Sequence, residues 1–119
     1  MTATTATRET FHFLAYGWDV TEAERITAGR PTIDISVEQA AMWFHLIRID
    51  KAHAATVDLT KPTLIVPVKD AGHIPIDGWH RFWKAHEKGL ATLPARLLTS
   101  EEEHQVRLYG GDKGDGYYR

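Results

Sequence analysis

The sequence predicts one small domain in which helices and strands are mixed, the composition of an α+β fold. The chain has 119 residues, 43% of them hydrophobic, which is enough for one core but too little for two. Short apolar runs with strand spacing are interleaved with runs of helical spacing that begin at capping residues. We therefore expect a single domain over residues 11–108, a disordered N-terminus at 1–10 and a flexible glycine-rich tail at 109–119.

Composition excludes several classes of function. Basic and acidic residues number 14 and 16, for a net charge of -2, so the cationic field that drives direct DNA binding is missing. There are no cysteines, which removes disulfides, thiolate metal sites and cysteine nucleophiles. No window of about 18 apolar residues could span a membrane. These properties predict a cytoplasmic protein with no membrane association.

The first half of the chain is predicted to contain one strand and two helices. A strand over residues 11–16 ends at Gly17, and a short helix follows over 22–28. Residues 32–35 form a brief strand or a linker. The longest helix is predicted from Val37 to Ala54, and its apolar stripe places it against the core. Each helix begins with a capping pattern, a Ser or Thr followed three residues later by Gln or Glu.

The second half is predicted to contain a hairpin, a helix and a further strand, followed by a last helix. The elements in order are strand Leu64–Val68, strand Ile74–Asp77, a helix from Trp79 to Gly89, strand Leu93–Leu98 and a helix that starts at Glu101–Glu103. Pro75 donates no amide hydrogen bond, so the second strand is expected at a sheet edge or bulge. No spacing of histidines predicts a metal site.

The candidate site lies where the second strand of the hairpin runs into its helix. Asp77, Gly78, His80 and Arg81 place a carboxylate, a permissive backbone position, a titratable ring and a permanent cation at a helix start. The amides of such a turn carry partial positive charge and bind anions, and an arginine can grip two phosphate oxygens. Asp77 has four readings: it caps the helix, orients Arg81, holds a metal against phosphate, or accepts a proton.

The stretch from Pro62 to Leu98 resembles the ParB/sulfiredoxin-like superfamily. It reads Pro-Thr-Leu-Ile-Val-Pro-Val, then Pro-Ile-Asp-Gly-Trp-His-Arg-Phe-Trp-Lys-Ala, then Gly-Leu-Ala-Thr-Leu-Pro-Ala. Its centre is similar to the Asp-Gly-x-His-Arg variant of ParB N-terminal-like domains. The resemblance implies an α+β (α/β-like) fold, a small mixed sheet with packed helices. It covers about a third of the chain.

The resemblance also implies a nucleotide site. Gly78, His80 and Arg81 would bind the phosphates of ATP, ADP or CTP, with Mg²⁺, and Asp77 would be the catalytic candidate. Trp79 would either stack on the base or anchor the helix. Trp79 stands where sulfiredoxins have their cysteine, which excludes that reaction. Partition proteins have a DNA-binding region after this domain, and only about 20 residues follow Leu98, so no direct DNA binding is expected.

Two hypotheses follow from the sequence. In the first, the domain binds a nucleotide or a phosphorylated small molecule and catalyses phosphoryl transfer or nucleotide hydrolysis, as a small-molecule kinase or NTPase. In the second, it is a non-catalytic regulatory or accessory module of a plasmid, phage or gene-cluster system. A second acid that faces Asp77 across a pocket would favour the enzyme over the non-catalytic module. Upstream of the motif, the candidates for this acid are Glu22, Glu24 and Glu38. The tryptophan-rich helices and the edge strand permit a homodimer without requiring one.

Overall fold

The computed structural model describes residues 8–114 of the chain. Its strands are β1 (Thr10–Phe13), β2 (Tyr16–Asp19), β3 (Ile33–Ser36), β4 (Thr63–Val68), β5 (Gly72–Asp77), β6 (Thr92–Leu97) and β7 (Arg107–Tyr109). Its α-helices are α1 (Val20–Thr27), α2 (Val37–Ala41), α3 (Lys51–Ala54), α4 (Trp79–Glu87) and α5 (Ser100–Val106). Short 3₁₀ turns occur at Phe44–Leu46 and Gly111–Lys113. The predicted α+β fold class is confirmed.

The strands form two sheets. The larger sheet has the order β3-β6-β4-β5 and is mixed, because β4 and β6 run parallel while the other neighbours are antiparallel. The smaller sheet, β1-β2-β7, is antiparallel. Trp18, Ile74 and Ile76 are central to one buried cluster, and Ile65 and Phe82 to the other. The partly buried ring of Phe11 packs against both clusters, so β1 joins them.

The hairpin that leads to the candidate site forms as predicted. β4 and β5 are antiparallel, and β5 occupies the sheet edge. Pro75 lies opposite Ile65, beside a register shift between Leu64 and Ile65, which is where a residue without an amide donor is tolerated. The helix after the hairpin also ends as predicted, with Gly89 at a φ of 74°.

The long helix predicted from Val37 to Ala54 is wrong. α2 stops at Ala41, a 3₁₀ turn follows, and Ile47 is extended before α3 begins. Asp50 starts the new helix, since its carboxylate accepts hydrogen bonds from the amides of Ala52 (3.1 Å) and His53 (3.2 Å). The apolar stripe is real, but local capping and side-chain packing divide it among three short elements.

The N-terminal elements differ from the prediction at four places. The strand predicted over 11–16 is two strands joined by a turn in which Leu14 has a positive φ of 56°. Gly17 does not end a strand but lies inside β2. The position requires glycine because the ring of Tyr109 packs where a Cβ would be. Thr10, predicted to be disordered, belongs to β1. α1 is capped by Asp19, whose carboxylate accepts from the Glu22 amide at 2.9 Å. Residues 1–7 lie outside the described part of the chain.

The C-terminal region is more ordered than its glycine content predicts. Thr99 and Glu102 form the capping box of α5. Arg107, the first residue of β7, donates hydrogen bonds to the Gly110 carbonyl at 2.9 Å and to Asp112 at 2.7 Å. These contacts hold the turn at Gly111–Lys113 against the sheet. The described part of the predicted tail, residues 109–114, thus contains the end of β7 and a 3₁₀ turn, and residues 115–119 lie outside the described range. No helix within residues 8–114 is long and apolar enough to cross a membrane.

Candidate functional site

The turn between β5 and α4 depends on Gly78. Its φ of +96° belongs to the left-handed region, which glycine enters without steric cost. A Cβ at this position would also lie 2.5 Å from Thr63 Cγ2 and 2.9 Å from Arg81 Nη2. The chain therefore turns tightly over β4 and delivers the start of α4 directly beside Asp77.

Asp77 does not cap α4. No side chain accepts a hydrogen bond at the N-terminus of this helix. Asp77 Oδ2 instead accepts a hydrogen bond from Arg81 Nη2 at 3.2 Å, one helical turn away. Asp77 is thus paired with Arg81 and does not cap the helix, the arrangement expected where the aspartate orients the arginine. The N–H groups of the first turn of α4 keep their partial positive charge without a side-chain acceptor.

Arg81 is a buried residue, with 8% of its surface exposed. Besides the contact with Asp77, its Nη2 donates to the Pro62 carbonyl at 3.1 Å. Its Nε is buried without a hydrogen-bond partner. The guanidinium thus ties the motif turn to the start of β4. A phosphate that gripped this Nη2 would compete with both existing hydrogen bonds.

His80 is engaged as a hydrogen-bond acceptor. The backbone N–H of Asp50 donates to His80 Nε2 at 3.1 Å, so the neutral ring carries its proton on Nδ1. Burial lowers the pKa of His80, and so does His53, whose ring lies edge-on with centroids 4.8 Å apart, while Asp50 acts in the opposite direction. The ring therefore favours the neutral form and links α4 to the segment before α3.

Trp79 occupies the anchoring position. Its side chain is buried, with 4% of the residue exposed, and its indole N–H donates to the Pro75 carbonyl at 2.8 Å. Its ring packs among Phe11, Phe44 and Phe82. No face of the indole is left for stacking on a nucleobase, and the ring anchors the start of α4 in the core.

A cleft of about 200 Å³ opens in front of this turn. It is lined by Glu9, Thr10, Phe11, Ile47, Arg48, Ile76, Asp77, Gly78, Trp79 and His80. Glu9 is thus the second acid that shares a cleft with Asp77. Glu22, Glu24 and Glu38 do not line it. Although Glu9 is exposed as a residue, partial desolvation at the cleft wall, then the nearby Asp77 and Glu24, raise its pKa, against the opposing effect of Lys61 and Arg81.

Glu9 was not predicted from the sequence, because this residue lies in a polar segment with no apolar pattern of its own. Its position is set by the backbone: the Glu9 carbonyl accepts from the amides of Val20 (2.9 Å) and Thr21 (3.3 Å). The Glu9 amide donates to Thr21 Oγ1 at 2.7 Å. The one available signal was the alternation of Glu9 with Phe11 and Phe13, which extends the strand upstream.

The acids of the cleft suit a cation that is shared with a ligand. Within residues 8–114, no group of three or more His, Cys, Asp or Glu side chains converges to hold a metal by itself. Glu9 and Asp77 supply two carboxylates to the same cleft. Mg²⁺ in phosphate sites is commonly held by one or two carboxylates, with phosphate oxygens and water completing its shell. The donor set therefore fits Mg²⁺ bound together with a phosphate ligand.

Comparisons with known proteins are sparse. The chain matches no protein-family model and no curated protein. Its structure is similar to the crystal structure of sulfiredoxin from Arabidopsis thaliana, with 18% sequence identity, coverage of 62% of this chain and 93% of that chain, and a TM-score of 0.38. Similarity at this level assigns no ligand and no activity, and the site is interpreted from its own geometry.

Proposed function

We propose that the cleft binds the phosphate groups of a nucleotide such as ATP, ADP or CTP together with Mg²⁺, and that it catalyses phosphoryl transfer from the nucleoside triphosphate to a hydroxyl group or water. One observation carries the proposal: Glu9 and Asp77 share a cleft at the start of a helix that no side chain caps. Two acids beside an anion-attracting turn make chemical sense when the ligand combines phosphate with a cation or a transferable proton.

The proposed phosphate contacts come from the backbone. The amides of Trp79, His80 and Arg81 form the first turn of α4, and the left-handed Gly78 lets a ligand approach them closely. In this arrangement Trp79, His80 and Arg81 bind phosphate through main-chain N–H groups, and Gly78 provides the space. Their side chains hold the turn in place.

The proposed chemistry assigns different roles to the two acids. The raised pKa of Glu9 suits a general base. The acceptor oxygen attacks the terminal phosphorus, its proton passes to Glu9, and the bond between that phosphorus and the bridging oxygen breaks to release the nucleoside diphosphate. Asp77, oriented by Arg81, faces the phosphates. When bound there, Mg²⁺ would be held by Asp77 together with phosphate oxygens and would neutralise phosphate charge, which leaves Glu9 free to accept the proton.

Binding and turnover are measured separately to test the proposal. Calorimetry with ADP and CTP, with and without Mg²⁺, measures affinity, and ³¹P NMR follows the conversion of ATP or CTP. We expect Glu9→Gln to lower turnover about 100-fold or more while affinity changes less than about threefold. Glu101→Gln, an exposed acid on α5 outside the cleft, is the matched control and should leave both unchanged.

The outcomes distinguish the two classes of function. Absence of binding by every nucleotide at millimolar concentration would refute the proposal as a whole. Nucleotide binding without turnover, with or without a hydroxyl acceptor, would leave the regulatory or accessory module and remove the catalytic role of Glu9. Asp77→Asn is a weaker test, because it also alters the contact with Arg81.

A further inference from the structure

We propose that Arg48 is the side chain that grips the ligand's phosphate groups in this cleft, and that His80 is the residue that positions it. The inference deepens the proposed function and rests on it. It departs from the sequence motif, which assigns the guanidinium contact to Arg81.

Arg48 is the cationic residue that lines the cleft with Glu9 and Asp77. It is exposed, and within residues 8–114 it makes no hydrogen bond or ion pair, whereas Arg81 is buried and already donates to Pro62 and Asp77. A phosphate beside two carboxylates needs compensating positive charge. A free guanidinium supplies it in a fork that matches two phosphate oxygens.

The segment that carries Arg48 is fixed on both sides. Ile47 and Ile49 are partly buried and pack against the hydrophobic core, and the Ile47 amide donates to the Phe44 carbonyl at 3.1 Å. Ile47 is extended, so alternation directs Arg48 away from the faces that its two neighbours bury. An arginine on such a support loses less conformational entropy on binding than one on a free loop.

His80 closes the far end of this segment. Its Nε2 accepts the Asp50 amide hydrogen bond, and Asp50 in turn caps α3. One contact therefore connects the phosphate-binding helix, the start of α3 and the residue two places after Arg48. Loss of the contact would free the segment that carries Arg48, so His80 acts through the position of Arg48.

The connection predicts a pH dependence of ligand binding. His53 and Asp50 lie beside His80 on the α3 side, and Arg48, Glu9 and Asp77 line the cleft that His80 also lines. The pKa of His80 is lowered from 6.5 by burial and by His53, so the neutral ring and its accepted hydrogen bond are intact above pH 6.5. As the pH falls below that value towards the lowered pKa, His80 Nε2 gains a proton. Its N–H then faces the Asp50 N–H, and the hydrogen bond is lost.

The test of Arg48 compares three variants of the full chain. We expect Arg48→Ala to weaken binding of Mg-ADP and of Mg-tripolyphosphate by the same factor, about 10- to 100-fold, the range for a lost charged hydrogen-bond pair. Arg48→Lys should recover part of the loss, because it restores the charge without the fork. Arg25→Ala removes an exposed arginine on α1 that pairs with Glu22 and should change neither affinity.

Each result bears on the inference. Equal affinity of wild type and Arg48→Ala would refute the role of Arg48 while leaving the proposed function standing. A loss confined to Mg-ADP would mean that Arg48 contacts the nucleoside, and would also refute it. Failure of the wild type to bind either ligand would overturn the proposed function and this inference together.

The positioning role of His80 has its own readout. His80→Gln places a neutral acceptor within reach of the Asp50 amide and should keep affinity within about threefold at pH 7.5. Below pH 6.5 the variant should lose less affinity than the wild type, because only protonation of the phosphate ligand, with a pKa of about 6, then weakens binding. His80→Leu should weaken binding about as much as Arg48→Ala, and the two changes together should weaken it little further. An unchanged pH profile in His80→Gln, or fully additive losses, would refute the connection.

Discussion

Replacement of Arg81 by methionine tests whether this arginine supports the turn or is free to meet a ligand. Methionine keeps most of the aliphatic stem and removes the guanidinium, whose Nη2 donates to Pro62 and Asp77 at 3.1 and 3.2 Å. Two such charged hydrogen bonds at long distances are together worth about 3 kcal/mol. Removing the unpartnered Nε returns about 1 kcal/mol of desolvation. The net loss of unfolding free energy is about 2 kcal/mol.

Urea unfolding followed by circular dichroism measures this loss, and a cycle with Asp77→Asn isolates the pair. We expect Arg81→Met to lower the melting temperature by about 8 °C, and the two substitutions together to cost about 1 kcal/mol less than their sum. The folded variant should retain nucleotide affinity better than Arg48→Ala does. A loss of unfolding free energy under about 0.5 kcal/mol, together with a large loss of nucleotide affinity, would show that Arg81 contacts the ligand, as the motif alone suggests.

Three further predictions concern stability. Gly78→Ala should cost about 1 to 3 kcal/mol more than Gly72→Ala, because both glycines have a positive φ but only a Cβ at Gly78 meets neighbouring atoms; chemical denaturation of both variants checks the difference. Trp79→Phe should cost about 1 to 2 kcal/mol and leave nucleotide affinity unchanged, since the indole is buried. The hydrogen bond from Arg30 lowers the pKa of Glu102 from 4.5 to about 2. The pair therefore stabilises the fold above pH 4.5, and its contribution of about 2 kcal/mol is lost as the pH falls towards 2. Glu102→Gln should remove this component from the pH dependence of the unfolding free energy.

Those parts of the fold that depend on local signals could be predicted from the sequence. The β4–β5 hairpin follows from an apolar run, a polar turn and a proline, and the end of α4 follows from Gly89. The long helix after Val37 could not be resolved, because its apolar stripe is shared by a helix, a 3₁₀ turn and an extended residue. What divides them is the capping by Asp50, a local competitor that helical periodicity does not register.

The candidate site divides in the same way. Asp77, Gly78 and His80 are adjacent in the chain, and their proximity needed no structure. Glu9 and Arg48 come from segments far away in sequence that are unremarkable in pattern, and only tertiary contacts place them in the cleft. The sequence motif located the turn, but it did not identify which charged side chains face a ligand.

The candidate site combines residues from both sheets, because Glu9 adjoins the smaller sheet and Asp77 belongs to the larger one. Glu9 directly precedes β1, and its main chain is held by hydrogen bonds to the start of α1. Asp77 ends β5. The two ends are connected by a ring contact, because Phe11, two residues after Glu9, packs against Trp79, two residues after Asp77. This aromatic contact holds the start of β1 beside the turn after β5, where both acids line one cleft, and the buried Trp79 supports that arrangement without presenting its ring to a ligand.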